Sequence, residues 1–257
     1  MSVWTCDPDR FAQLASEITA AHQRDGGIGT LGEKSIHAVL KYYFDENPDT
    51  HERSVGTSVA DIVGADGVIE IQTRQFHRLN AKLPALLPEC PVTVVYPVIR
   101  RKRVTWIDPE TGEALRVGTF RKFQTAWAVF PELARILPHI THPHFRLVLA
   151  EMEAEDLRLA DGYGADRRIR ATKVDRLPTR LLAVRQFDAP ADYAAFLPAP
   201  LPDPLDSAAY AAHCRIPVVQ AQAALRVLAQ MQLIVPSGRN GRRKQYQLQQ
   251  SNGKESI

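Results

Sequence analysis

Residues 59–73 constrain this chain more than any other stretch. Val59, Ile62, Val63, Val68, Ile69 and Ile71 are apolar and β-branched, the types that fit a pleated strand. Between them, Gly64-Ala65-Asp66-Gly67 supplies residues that tolerate hairpin-turn conformations. The stretch predicts two short strands and a tight turn. Asp61 lies on one arm and Glu70 on the other, and folding at the turn brings them near each other. Side chains alternate along a strand, so Glu70 and Gln72 leave one face and Ile71 the other. Two carboxylates beside an apolar strand pair are costly unless a cation or a proton offsets the charge. A divalent metal site is therefore the first functional expectation.

The chain of 257 residues, 45% hydrophobic and 24% charged, is long enough for one large core, or a medium and a small one. Its net charge of +3 says little in bulk. Cys6, Cys90 and Cys214 form neither a metal pattern nor a disulfide framework, as expected of a reducing compartment. Residues 1–8 lack the basic and apolar regions of a signal peptide, and no apolar run approaches the length of a membrane span. The expectation is a soluble cytoplasmic protein with no membrane partner.

Ahead of the hairpin, Phe11, Leu14, Ala15, Ile18 and Ala21 predict a helix over 9–24. Ile36, Val39, Leu40 and Tyr43 predict a second from about Gly32 to Phe44, with Glu33 in its first turn. Residues 47–53 read as a polar loop. After the hairpin, Phe76, Leu79, Leu83 and Leu86 predict a helix over 74–87. Residues 92–99 are almost continuously apolar, as in a strand buried on both sides. A second strand over 104–107, a helix over 123–137 and a strand over 145–153 follow. Residues 160–179 read as a basic surface loop. The order predicts an α/β fold with a mixed sheet flanked by helices. His139, His142 and His144 read as loop composition rather than metal ligands.

The proline-rich stretch 198–204 reads as an extended spacer and a domain boundary, leaving 1–197 and 205–257 as domains. Beyond it come a short helix capped by Asp206 or Ser207, a helix starting at Pro217, a strand at 233–235, a basic turn and a return strand. Residues 198–257 carry seven Lys and Arg against three acids, so positive charge gathers there. Arg239, Arg242, Arg243 and Lys244 suit phosphate contacts. Gln220, Ala221, Gln222 and Arg226 suit a helix face in a major groove.

With these elements in this order, residues 10–100 resemble the PD-(D/E)xK, or restriction-endonuclease-like, nuclease superfamily, and 205–257 resemble a small winged-helix domain. The resemblance implies a restriction-endonuclease-like mixed sheet. It implies catalytic roles for Glu33, Asp61, Glu70 and Gln72, and a Mg²⁺ (or Mn²⁺) ion held by Asp61, Glu70 and the Ile71 carbonyl. Gln72 stands where the superfamily has lysine, although some active members carry glutamine. It can hydrogen-bond a water but supplies no positive charge. Lys34, Lys41 and Lys82 are candidates to replace that charge, and Arg74 can reach a phosphate.

The function expected is Mg²⁺-dependent DNA endonuclease activity, targeted by the winged helix, with RNA as another nucleic-acid substrate. Cutting both strands of a duplex calls for two active sites and so for a homodimer. Two alternatives remain: a catalytically inactive nuclease-like DNA-binding regulator, and a partner-binding subunit.

Overall fold

The computed structural model describes residues 4–26, 35–56, 58–120, 123–162 and 172–249. Its contacts divide the chain into two compact units. The first comprises Met1–Thr73, Val92–Ala126 and Leu147–Gln186, and the second Arg74–Pro91, Trp127–Arg146 and Phe187–Ile257. No helix of the described residues is long and apolar enough to cross a membrane.

The first unit begins with helices α1 (Pro8–Gly26) and α2 (Ser35–Phe44). Strands β1 (His51–Val55), β2 (Ser58–Gly64) and β3 (Gly67–Ile71) follow as an antiparallel meander. Strand β4 (Val92–Ile107) pairs parallel to β3, from Val68 opposite Val92 to Ile71 opposite Val95. With β5 (Ala114–Phe120), β6 (Phe145–Leu159) and β7 (Thr172–Phe187) the sheet has seven strands, in the order β1-β2-β3-β4-β6-β7 with β5 on β4. The fold is mixed α/β, as expected.

Phe11, Ala15, Ile36, Val39, Leu40 and Tyr43 of α1 and α2 pack on Ile62, Ile69, Ile71, Val95, Ile99, Val148 and Ala150 of the sheet. All eight residues from Val92 to Ile99 are buried, which is why that run carries no polar face. β4 then continues without a break through the tetrad Arg100-Arg101-Lys102-Arg103, so 92–107 is one strand rather than two.

Three other expectations are corrected. β1 lies where a polar loop was expected; its burial pattern is exposed in the middle and gave no apolar alternation to read. β5 carries no predicted strand either: Leu115 and Val117 are both exposed, so no buried face marks it. The predicted loop 160–179 contains the first half of β7, whose Lys173 and Arg176 pair with Asp156 of β6.

In the second unit, the helix predicted over 74–87 is a short 3-10 segment, Phe76–Ala81, followed by α3 (Leu83–Leu86). Gln75 adopts a left-handed φ of 65° that interrupts any continuous helix. The helix predicted over 123–137 is likewise a 3-10 segment, Ala126–Val129, and α4 (Phe130–Leu133). Helices α5 (Ser207–Cys214) and α6 (Val218–Gln230) and the antiparallel hairpin of β8 (Ile234–Asn240) and β9 (Arg243–Leu248) follow in the predicted order. Asp206 caps α5, accepting from Ala208 N and Ala209 N at 2.8 and 2.9 Å.

The proline-rich stretch lies inside this unit, and both of its flanks are fixed. Tyr210 Oη donates to Phe196 O at 2.7 Å, and Tyr246 N to Leu205 O at 2.9 Å. α6 packs on α4 as well as on α5.

Candidate active site

The hairpin forms as its residue types dictate. Ile62 pairs with Ile69, Val63 with Val68 and Gly64 with Gly67, leaving Ala65-Asp66 as a two-residue turn. Gly67 closes it with φ 114°, a conformation that side chains with a Cβ rarely adopt. The pairing ends at Ile62 and Ile69, and Asp61 and Glu70 are the next residues on the two strands. Ile69 and Ile71 point into the cluster with α1 and α2, so Glu70 leaves the opposite face of the sheet. Strand β3 has neighbours on both edges, and Glu70 is only 1% exposed. An ionised carboxylate at that depth needs compensation.

Asp61 is arranged differently from a strand-face acid. Its Oδ2 accepts a hydrogen bond from Ile71 N at 2.7 Å, so a side chain takes over the ladder where the two strands part. His37 Nε2, on α2, lies 3.1 Å from the same oxygen. A strand residue's N–H and C=O leave the same edge, so the Ile71 carbonyl also faces β2, beside this carboxylate. Gln72 continues the parallel ladder, its N–H donating to Val95 O at 2.9 Å, and its side chain is half-buried. The structure therefore gathers Asp61, Ile71 and His37, with Glu70 and Gln72 on the strand carrying Ile71. His37, whose residue type alone tempts a metal reading, reaches the site through Asp61, a contact that its position in the sequence does not reveal.

Glu33 and Lys34 lie outside the described residues. Lys41 is buried, and its Nζ sits 2.8 Å from Glu52 Oε1 on β1, where it forms an ion pair. Lys82 and Arg74 belong to the second unit; Arg74 is exposed and Lys82 half-buried at the start of α3.

On α6, Gln222 and Arg226 are exposed one turn apart and Gln220 is half-buried. Ala221 is fully buried, which corrects its placement on a groove-facing surface. The neighbouring exposed positions are Val218 and Val219. Arg239, Arg242, Arg243 and Lys244 are all exposed around the β8–β9 turn, with Arg243 Nη1 3.8 Å from Asp206.

Among the described residues, no group of three or more His, Cys, Asp and Glu side chains is disposed to hold a metal ion. His144 Nδ1 is 2.8 Å from Leu87 O, and His142 Nδ1 accepts from His144 N at 3.1 Å.

A model of a family described as a domain of unknown function, DUF8091, matches residues 34–188. That span takes in α2, the hairpin and all of β1 to β7. A protein of Treponema pallidum (strain Nichols), described as an uncharacterized protein, is 30% identical over 225 residues. The match covers 85% of this chain and 86% of that protein. No solved structure matches the chain.

Proposed function

The chain belongs to the DUF8091 family, and for this member we propose metal-dependent hydrolysis of DNA phosphodiesters at the β2–β3 hairpin. The observation that carries the reading is the hydrogen bond from Ile71 N to Asp61 Oδ2, which holds one acid beside the strand of the buried Glu70, on an antiparallel hairpin whose second strand pairs parallel with β4. That arrangement of strands and acids is the one expected of a restriction-endonuclease-like nuclease. The helix-turn-helix and basic hairpin of 205–257 fit a winged helix that delivers the enzyme to DNA.

The donor set fits a hard divalent cation. Both contacts of Asp61 among the described residues fall on Oδ2, leaving Oδ1 to bind. Glu70 and the Ile71 carbonyl add oxygen donors, as Mg²⁺ or Mn²⁺ requires. Such an ion supplies Lewis-acid polarisation of the phosphate and a more acidic bound water. The protein's own groups do the rest. His37 and the Ile71 N–H fix the Asp61 carboxylate, so His37 is a positioning residue. The Gln72 amide holds a water by hydrogen bonding and leaves its proton to another acceptor.

The test is nicking of supercoiled plasmid with Mg²⁺ or Mn²⁺. Asp61→Asn and Glu70→Gln are expected to lower the rate at least about a hundredfold, a loss of about 2.7 kcal/mol in transition-state stabilisation. Cleavage by wild type no faster than by either variant sinks the reading. Gln72 in place of lysine favours a second one, a DNA-binding regulator without cleavage. It is recognised by salt-sensitive binding that persists while nicking stays at background.

A further inference from the structure

A buried polar group is tolerated when its neighbours answer it. Asp156, 1% exposed, is gripped through both oxygens by the Arg176 guanidinium, with Lys102 Nζ at 2.9 Å. Arg158 and Lys173 stand 3.9 and 4.0 Å away. Burial would push the Asp156 carboxyl up, but hydrogen bonds from Arg176 and Lys102 and the charges of Arg176 and Lys173 outweigh it and hold it below the usual range. Tyr210, also fully buried, accepts from Trp127 Nε1 and donates to Phe196 O.

Tyr193 breaks this pattern. Its side chain has one polar atom, and that hydroxyl is buried with no hydrogen-bond partner among the described residues. The residue as a whole is 2% exposed. A phenylalanine would fill nearly the same volume without leaving a donor and an acceptor unused. The hydroxyl therefore calls for a role beyond packing.

Tyr193 forms part of the wall of a cavity of about 340 Å³, together with Phe145, Phe187, Asp188 and Pro190. All of these residues belong to the second unit. The volume is at the small end of the range for ligand pockets, about 300–1,000 Å³, and suits a molecule of one ring. The wall is aromatic: the Phe187 ring lies 5.3 Å from that of Tyr193, and Phe196 stacks on Phe187 at 5.3 Å.

The charge of the wall has one sign. Asp188 is a carboxylate, and among the described residues no lysine or arginine lines the cavity. His142, also in the wall, accepts the His144 N–H at Nδ1. Only an unprotonated nitrogen can do so, and the ring brings no positive charge. Asp192 adds a second acid, its Oδ2 accepting from Asp188 N and Ala189 N at 2.8 Å each. Arg146 Nε, 3.9 Å from Asp188 Oδ1, balances one of the two carboxylates. Burial, with the charges of Asp192 and Asp188, raises the Tyr193 ionisation well above the ordinary range, so a neutral hydroxyl sits in a negative field.

We propose that this cavity binds a small arylalkyl amine as its ammonium ion. The ammonium donates to the Asp188 carboxylate and to Tyr193 Oη, and the ring lies against Phe145 and Phe187. Three features choose this occupant. The acidic wall refuses an anion and attracts a cation. Aromatic faces attract an ammonium and pack its apolar body. The Tyr193 oxygen gains the partner that folding alone denies it. The inference draws on the second unit alone and is independent of the nuclease reading.

The test is isothermal titration calorimetry of the full-length protein at neutral pH with phenethylamine, tyramine and benzylamine. Phenylacetate and phenethyl alcohol serve as anionic and neutral controls of similar shape. At least one amine is expected to bind saturably, and about tenfold or more tighter than either control. Tyr193→Phe should weaken that binding about fivefold while the melting temperature stays level or rises. Asp188→Asn should weaken it about tenfold. Tyr193→Phe is the deciding variant, because Asp188→Asn also takes a carboxylate from Arg146. No saturable binding of any of the three amines overturns the proposal. So does phenylacetate binding as tightly as the best amine, or undiminished amine binding by Tyr193→Phe.

Discussion

Asp156 illustrates how much one side chain can hold. It is a nearly inaccessible carboxylate with four cations within 4.0 Å. Replacing it with asparagine leaves those cations to repel one another in a partly desolvated site. Asp156→Asn should destabilise the protein by about 3 kcal/mol at neutral pH, measured by urea unfolding. The sign of its pH dependence follows from its depressed carboxyl. The stabilisation is complete above the unfolded value, about 3.9, and disappears as pH falls through the lower folded value. The gap between wild type and variant should therefore be constant near neutrality and close in acid. A gap that widened as pH fell would contradict the role assigned to this carboxylate.

At the level of elements, legibility in the sequence tracked burial. The hairpin, the two helices before it and strand 92–99 each bury an apolar face, and each was readable from its periodicity. β1 and β5 bury none, and the first half of β7 pairs Lys173 and Arg176 with Asp156 of β6, so pairing rather than pattern makes them strands. The positions of Asp61, Glu70 and Gln72 on the hairpin could be read because a strand and a turn fix their register. The contact of His37 with Asp61 could not, because it is made only through the packing of α2 on the sheet.

Residues 190–196 show how a short element is held without a long helix. Trp127 Nε1 donates to Tyr210 Oη at 2.9 Å, and that hydroxyl donates to Phe196 O. By contrast, the hydroxyl of Tyr193 is buried with no hydrogen-bond partner among the described residues. Burial, with Asp192 and Asp188 nearby, raises its ionisation well above the ordinary range, so it stays protonated. Tyr210→Phe should cost about 1–2 kcal/mol, whereas Tyr193→Phe should cost less than about 0.5 kcal/mol or stabilise. Thermal melts of the two variants separate them, and equal losses would refute the distinction.

For the whole molecule, the chain passes between the two units five times. Residues 198–257 resemble a stand-alone module by sequence, yet the apolar side of α6 rests partly on α4, far upstream. A fragment of 198–257 should therefore show little helical circular dichroism and poor amide dispersion by NMR. A cooperatively folded fragment would show instead that this segment closes its own core.

The same threading sets a timetable during synthesis. The first unit has its last strand once Gln186 has emerged. α4, with the apolar Phe130 and Leu133, must wait for α6, roughly 85 residues later, or about 4–17 seconds at ordinary translation speeds. During that interval the ribosome presents an open apolar surface to the cell. Chaperone capture of the nascent chain should thus be concentrated on 127–146, and slowing translation beyond residue 187 should lower the soluble yield.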